Sequence, residues 1–402
     1  MNTLRHDVRR GAAAALCVTA CLFLLNWRVV PAAEVVPAAA FCLCLYFLFF
    51  TLGTDSVSLF IRERIDGRPW RCLALPAALS GFLCAYALVV NGDPRHWAGV
   101  APTTAFLYLA AAPAVALLPA LLFSRHARGG EKAGGGWDFL LFAAAAGLAG
   151  WFRFPFDRLP QAGASFQTAS GLTMLLVLVY VTVELRRLPF VGFTLSFSWQ
   201  DLLLTLGCWL VMLALFVGML YPTGLIEYVG HKDWSFRGFQ DGFGYFLSHL
   251  LRVGVFEEFV FRGIFQNLLA QRAALLSDKA RARLWSFSAV ALAAAAFAAT
   301  FLAKDAGNRW LPPLVVLLLF AAAQFVERRF NVRKGEYVVL AMISAVFGVV
   351  HYRFGVTFMA LACLAGWFDG FVYTKTKNVY LAALIHALLN CSAMFLGFRK
   401  NF

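Results

Sequence analysis

Charge is scarce in this chain of 402 residues: only 14% are Asp, Glu, Lys or Arg, whereas 61% are hydrophobic. A soluble globular domain carries about a quarter charged residues, so that class is excluded. Disorder needs low hydrophobicity and many charges, and falls with it. Lysine is scarcer still, 8 against 27 arginines. Several chemical signatures are missing too. There is no CxxC, no HExxH and no GxSxG, and no glycine-rich phosphate loop follows a strand. This removes the usual thiol–redox, zincin and serine-hydrolase readings. No internal repeat stands out, which weakens transporter folds built from duplicated halves.

What the chain does have is apolar runs from end to end. With about 20 residues needed to cross a bilayer core, candidate spans fall near 11–27, 35–53, 72–91, 99–124, 137–151, 168–185, 200–221, 242–266, 284–303, 311–326, 336–352, 355–373 and 378–398. Continuous rather than alternating apolarity favours helices over a barrel. The expected fold is an all-α, polytopic transmembrane bundle of about 11–13 spans at that length per span. The N-terminal run has the shape of a signal peptide but is long and lacks a clear cleavage site, so it reads as the first retained span.

The formal net charge of +14 would suggest nucleic acid in a soluble protein. Here the cations lie in short loops between apolar runs, and the expectation is a lipid bilayer and no nucleic acid. Arg5, Arg9 and Arg10 precede the first run. Alternate loops then hold Arg62, Arg64, Arg68 and Arg71; Arg125, Arg128 and Lys132; Arg186 and Arg187; Arg272, Lys279, Arg281 and Arg283; Arg328, Arg329, Arg333 and Lys334; and Lys375 and Lys377. That alternation places the N-terminus in the cytoplasm. The Arg and Ala bias suits a GC-rich bacterial genome, hence an inner (plasma) membrane. The nine cysteines lie in or beside apolar runs and read as small apolar packers. A basic glycine-rich linker, ARGGEKAGGG (127–136), and a break near 184–201 organise the chain. The expected division is an N-terminal accessory region, 1–195, and a C-terminal functional region, 196–402.

The informative charges are those inside spans, where an acidic or basic residue costs about 2.5–3.5 kcal/mol. GVFEEFVFRGIF holds Glu257, Glu258 and Arg262 within six positions. Glu258 and Arg262 are one helical turn apart and can pair. Glu257 is rotated by about 100° and finds no partner in its own helix. Two later runs offer partners: Phe347 and His351 share one face, and His386 and Asn390 share another. To avoid lipid, these groups should converge on one cavity. A carboxylate in an apolar cavity can act as general base toward water. An imidazole can share that proton, and a His/Asn pair offers donors to an oxyanion. The same Glu and two His could instead hold Zn²⁺ with an open position, or relay protons in a transporter.

EEFVFR, FGVVH and HALLN stand in that order as EExxxR, FxxxH and HxxxN. The chain resembles the CAAX prenyl protease type II family, the CPBP intramembrane proteases, which include Rce1-like enzymes and bacteriocin-processing proteins. The resemblance implies an intramembrane endopeptidase, of glutamate type and without a cofactor. By it, Glu257 activates water with His351, and His386 and Asn390 form the oxyanion site. Glu258, Arg262 and Phe347 then support them. The implied substrate is a membrane-associated protein or peptide, cut at a C-terminal tail or leader. One departure is the 94 positions between Glu257 and His351, which suggest an inserted helical hairpin near 280–330. Outside the motifs, His249 lies two turns before Glu257, and Asp369 in GWFDGFVY is expected to pair with Lys375 near the interface.

Overall fold

The structure, a computed structural model, describes residues 2–26, 32–65, 71, 73–81, 138–140, 142–147, 172–173, 175–188, 191–222, 224, 226–230, 235–304, 307–330 and 335–400. The chain forms two compact units, Met1–Leu195 and Ser196–Phe402. The expected span 99–124 and the linker 127–136 lie outside the described residues, as do parts of the runs 72–91, 137–151 and 168–185.

In the first unit, α1 (Asn2–Asn26) packs against α2 (Ala32–Thr51). After Thr51 the chain bends by 96° into α3 (Asp55–Ile65). The hydroxyl of Thr51 donates to the carbonyl of Phe47 at 2.6 Å, within the last turn before the bend. From α3, Ser58 Oγ donates to Glu184 Oε1 at 2.6 Å and Arg62 Nη2 donates to the Val183 carbonyl at 2.7 Å. Both acceptors lie on α4 (Leu175–Leu185), whose last turns are π-helical. The buried polar groups of α3 therefore find partners rather than facing lipid.

The second unit starts with α5 (Trp199–Leu220), opened by a capping box in which Ser198 and Asp201 satisfy each other's backbone N–H groups. A short strand, β1 (Ile226–Tyr228), pairs antiparallel with β2 (Phe398–Lys400). Residues 236–274 follow as one helical stretch of changing pitch: α6 (Phe236–Ser248), a π segment (His249–Gly254), α7 (Val255–Glu258), a second π segment (Phe259–Gln266) and α8 (Asn267–Ala274). The run expected to be a single span at 242–266 is thus helical throughout, with its pitch changing within it. Then come α9 (Asp278–Ala299), α10 (Leu311–Arg329), α11 (Glu336–Val350), α12 (Val356–Thr376) and α13 (Val379–Phe395).

The fold is all-α and polytopic. Among the described residues four helices are long and apolar enough to cross a membrane: α5, α9, α10 and α12. The bent pair Ala39–Thr51 and Asp55–Ile65 would make a fifth. This is fewer than the 11–13 runs counted along the chain. Some of those runs lie outside the described residues, and others differ for a physical reason. At 15 and 17 residues, α11 and α13 fall short of the roughly 20 that span a bilayer core. These two short helices are also deeply packed. Val338, Leu340 and Ala341 of α11 are fully buried, as are Ala382, Ala383 and Ile385 of α13. By contrast α5, α9 and α10 turn Leu210, Val211, Phe287, Val290, Leu314 and Leu318 outward, as lipid-facing helices do.

Glycine sets how closely the inner helices meet. A Cβ on Gly254 would lie 2.9 Å from the Ala383 carbonyl, so the first π segment and α13 touch backbone to backbone. A Cβ on Gly370 would strike Leu340 and crowd Gln266 and Arg262. Small residues at such crossings are how helices approach in a medium that offers no hydrophobic drive between them.

Candidate active site

Four elements of the second unit deliver polar side chains to one place. α7 is a single α-turn held between two π segments. Such π turns are rare and recur at functional sites because the extra residue re-aims the side chains that follow. α7 carries Glu257 and Glu258; α11 ends at His351; α12 carries Asp369; α13 carries His386.

The deeper layer is an ion cluster. Arg262 Nε donates to Glu258 Oε2 at 2.8 Å, and both side chains are fully buried. The pairing at one helical turn is the one the spacing predicts. Arg262 Nη1 extends it another turn to Gln266 Oε1 at 3.4 Å. Gln266 Nε2 in turn donates to the Gly370 carbonyl and to Thr374 Oγ1 at 3.2 and 2.9 Å, tying the segment to α12. The other Glu258 oxygen, Oε1, lies 3.0 Å from His386 Nδ1. An ionised carboxylate only accepts, so Nδ1 carries the proton and donates.

The outer layer is more open. Glu257 and His351 keep 23% and 18% of their side-chain surface exposed, against none for Glu258. Glu257 Oε2 lies 4.0 Å from His351 Nε2 and 4.0 Å from His386 Nε2, and makes no hydrogen bond. His351 Nδ1 is 2.6 Å from the Phe347 carbonyl. A carbonyl cannot donate, so that bond fixes the proton on Nδ1 and leaves Nε2 of a neutral ring as an acceptor facing Glu257. Phe347 sits between the two histidines. Its ring centroid is 4.6 Å from that of His351 and 5.8 Å from that of His386, edge-on to the latter. Phe261 meets it from α7's continuation at 5.0 Å, and the Arg262 guanidinium lies 5.6 Å from its centroid.

Glu257, Glu258, Arg262, Phe347, His351 and His386 are therefore brought together. Asn390 lies one turn beyond His386 on the same helix, partly buried. His249 engages the carbonyl of Tyr245 at 3.2 Å and packs its ring on that tyrosine. Asp369 departs from expectation. Lys375 lies over the rings of Tyr337 and Phe371, while Asp369 is buried with Oδ2 3.6 Å from His386 Nδ1. Sequence reasoning passed over Gln266, although its spacing of four from Arg262 extends the Glu258–Arg262 ladder by one turn.

A metal ion would need donor atoms on a common centre at about 2.0–2.2 Å. The donors closest together among the described residues are those of Glu258, Asp369 and His386, all within 4.8 Å of one another. One oxygen of that Glu258 is already held by the Arg262 guanidinium at 2.8 Å. A fixed cation there opposes a second one at short range in a low-dielectric site. The donor set does not suit a divalent ion.

Residues 324–392 match the family model for the type II CAAX prenyl endopeptidases, Rce1-like. No curated protein and no solved structure matched the chain. The matched segment runs from the end of α10 into α13 and contains Phe347, His351, His386 and Asn390. Glu257, Glu258 and Arg262 lie ahead of it and are joined to it by the contacts described above. The match supports a protease, and the apolar helices around it belong to an integral membrane protein.

Proposed function

Taking the C-terminal segment as Rce1-like, we propose that this protein is an intramembrane endopeptidase of the glutamate type, with Glu257 as general base. One observation carries the reading. Glu257 Oε2 stands 4.0 Å from the Nε2 atoms of two histidines on two other helices. That is too far for a direct hydrogen bond and suited to a small molecule held between them. Glu257 Oε2 and a neutral His351 Nε2 are both acceptors. The molecule that satisfies both must donate twice, which a water does, leaving its lone pairs free to attack.

In the proposed reaction Glu257 takes a proton from that water as the oxygen adds to the scissile carbonyl carbon. The carbonyl π electrons move to oxygen. The oxyanion is stabilised by His386 Nε2 and, one turn further along α13, by the Asn390 amide. Collapse of the tetrahedral intermediate breaks the C–N bond. The leaving nitrogen takes the proton from Glu257, which returns to its starting state. No covalent enzyme intermediate forms, and no resident metal takes part. The buried Glu258–Arg262 pair holds the helix that aims Glu257, and Phe347 separates and orients the two imidazoles.

The proposed substrate is a membrane-associated protein or peptide, cut in a C-terminal tail or leader that enters from the more open layer of Glu257 and His351. The proposed setting is a bacterial inner membrane with a cytoplasmic N-terminus, from the loop-charge alternation. The test is cleavage of membrane-tethered peptide substrates by the purified protein in lipid. Glu257→Gln, His351→Ala and His386→Ala should each abolish cleavage while the proteins remain folded, and wild-type activity should survive exhaustive chelation. An active Glu257→Gln would overturn the assignment. Loss on chelation, restored by zinc, would overturn the metal-free mechanism.

A further inference from the structure

We infer that Asp369, which none of the three motifs contains, is a positioning residue that holds His386 as a doubly protonated donor to the oxyanion. The inference rests on the endopeptidase reading above and assigns a function to a buried acid that the reading leaves unused.

The argument begins with the two nitrogens of His386. Nδ1 faces Glu258 Oε1 at 3.0 Å and Asp369 Oδ2 at 3.6 Å. A lone pair directed at two carboxylates would be repelled by both, so Nδ1 carries a proton. Nε2, on the opposite side of the ring, faces Glu257 Oε2 at 4.0 Å and the more open layer. A neutral ring has one N–H, already spent on Nδ1. Nε2 can donate to an oxyanion only when the ring is an imidazolium.

An imidazolium in a buried place needs a counter-charge. Glu258 is already matched by Arg262, so that pair is neutral and cannot balance a second cation. Glu257 faces the other nitrogen at 4.0 Å but is neutralised when it takes the proton from water, so Asp369 supplies the charge that stays as the oxyanion forms. Its side chain is 1% exposed, and its Oδ2 lies 3.6 Å from His386 Nδ1. Its other oxygen, Oδ1, makes no hydrogen bond. A buried carboxylate kept for stability alone would be expected to have its acceptors satisfied. One half-satisfied and set against an imidazole is costly to the fold and useful to the site. With Glu257 protonated by the water, the other four groups, the carboxylates of Glu258 and Asp369, the Arg262 guanidinium and the imidazolium, sum to zero. Removing Asp369 leaves the set with a net positive charge, which the ring relieves by giving up its Nε2 proton.

The experiment uses the full-length protein in lipid nanodiscs with ¹⁵N-labelled histidine, and His386→Gln to identify the His386 signals. In the wild type both His386 nitrogens should show protonated shifts at neutral pH. In Asp369→Asn, nearly the same in shape, the Nε2 signal should move toward that of an unprotonated nitrogen, because one of the carboxylates holding the second proton is gone. In that variant kcat should fall about 100-fold, the usual loss on removing one oxyanion donor, with KM little changed. Asp369→Glu should restore part of both the signal and kcat. The thermal midpoint of Asp369→Asn should not fall, which separates positioning from a structural role. A wild-type His386 with one protonated nitrogen overturns the inference without any variant. So does an Asp369→Asn protein with wild-type kcat and unchanged His386 signals. The endopeptidase reading fails separately, through an active Glu257→Gln, while the nitrogen signals still report on Asp369.

Discussion

At the scale of single residues, the site is a matter of which charges have partners. Arg262 and Glu258 are fully buried and bonded to each other at 2.8 Å. Breaking a buried pair by removing one member strands the other, at a cost of about 3–5 kcal/mol. Arg262→Met should therefore lower unfolding free energy by about that amount, and adding Glu258→Gln in the same chain should recover part of it. Chemical unfolding in mild detergent, followed by tryptophan fluorescence, measures both. A single variant as stable as wild type would show that the pair contributes little. This ladder was legible in the sequence, because positions four apart on a helix share a face. So was the solitary state of Glu257. The environment of Asp369 was not: the nearest opposite charge in sequence, Lys375, is six residues away, and a helix carries positions six apart to different faces.

At the scale of elements, the site depends on how helix ends are tied down. Glu327, near the end of α10, accepts from the backbone N–H groups of Gly335, Tyr337 and Val338 at 2.8, 2.8 and 3.0 Å. These are the otherwise unsatisfied donors at the start of α11, the helix that ends at His351. One carboxylate thus caps the neighbouring helix and completes its first turn, favoured further by the helix dipole. Glu327→Ala should destabilise the protein by roughly 1–3 kcal/mol, the cost of leaving buried donors unmade. It should also reduce turnover through displacement of His351, with Glu327→Gln milder in both. Thermal unfolding beside a cleavage assay checks the pair of effects, and an unchanged midpoint in Glu327→Ala would refute the capping role. Nothing in the sequence pairs Glu327 with a helix start, since the interaction joins two separate elements. The π segments on either side of α7 were equally illegible. Apolar periodicity sees a continuous run and not the change of pitch within it, nor the close approach of the first π segment to α13 at Gly254.

At the scale of the whole molecule, lipid is the solvent that sorts the helices. α9 and α10 turn Val290 and Leu318 outward, 67% and 58% exposed, near the middle of helices long enough to cross the membrane. A charge at mid-span costs about 2.5–3.5 kcal/mol on the insertion scale. Leu318→Arg should reduce the membrane-integrated fraction in a glycosylation-mapping assay, while Asn308→Arg, in the loop before α10, should leave it unchanged. Equal insertion of the two would mean that Leu318 does not face lipid. By itself the sequence determined the solvent, the all-α class and the six polar groups of the motifs that must hide from lipid. Composition and turn-by-turn spacing are local properties, and a charge within an apolar run has few permitted places. Only the tertiary structure decided which groups meet across helices: two imidazoles set 4.0 Å from one Glu257 oxygen, and Asp369 turned toward His386 rather than Lys375. Those choices depend on close approach between separate helices, His351 and His386 lying 94 and 129 positions after Glu257, which packing sets and local sequence does not encode.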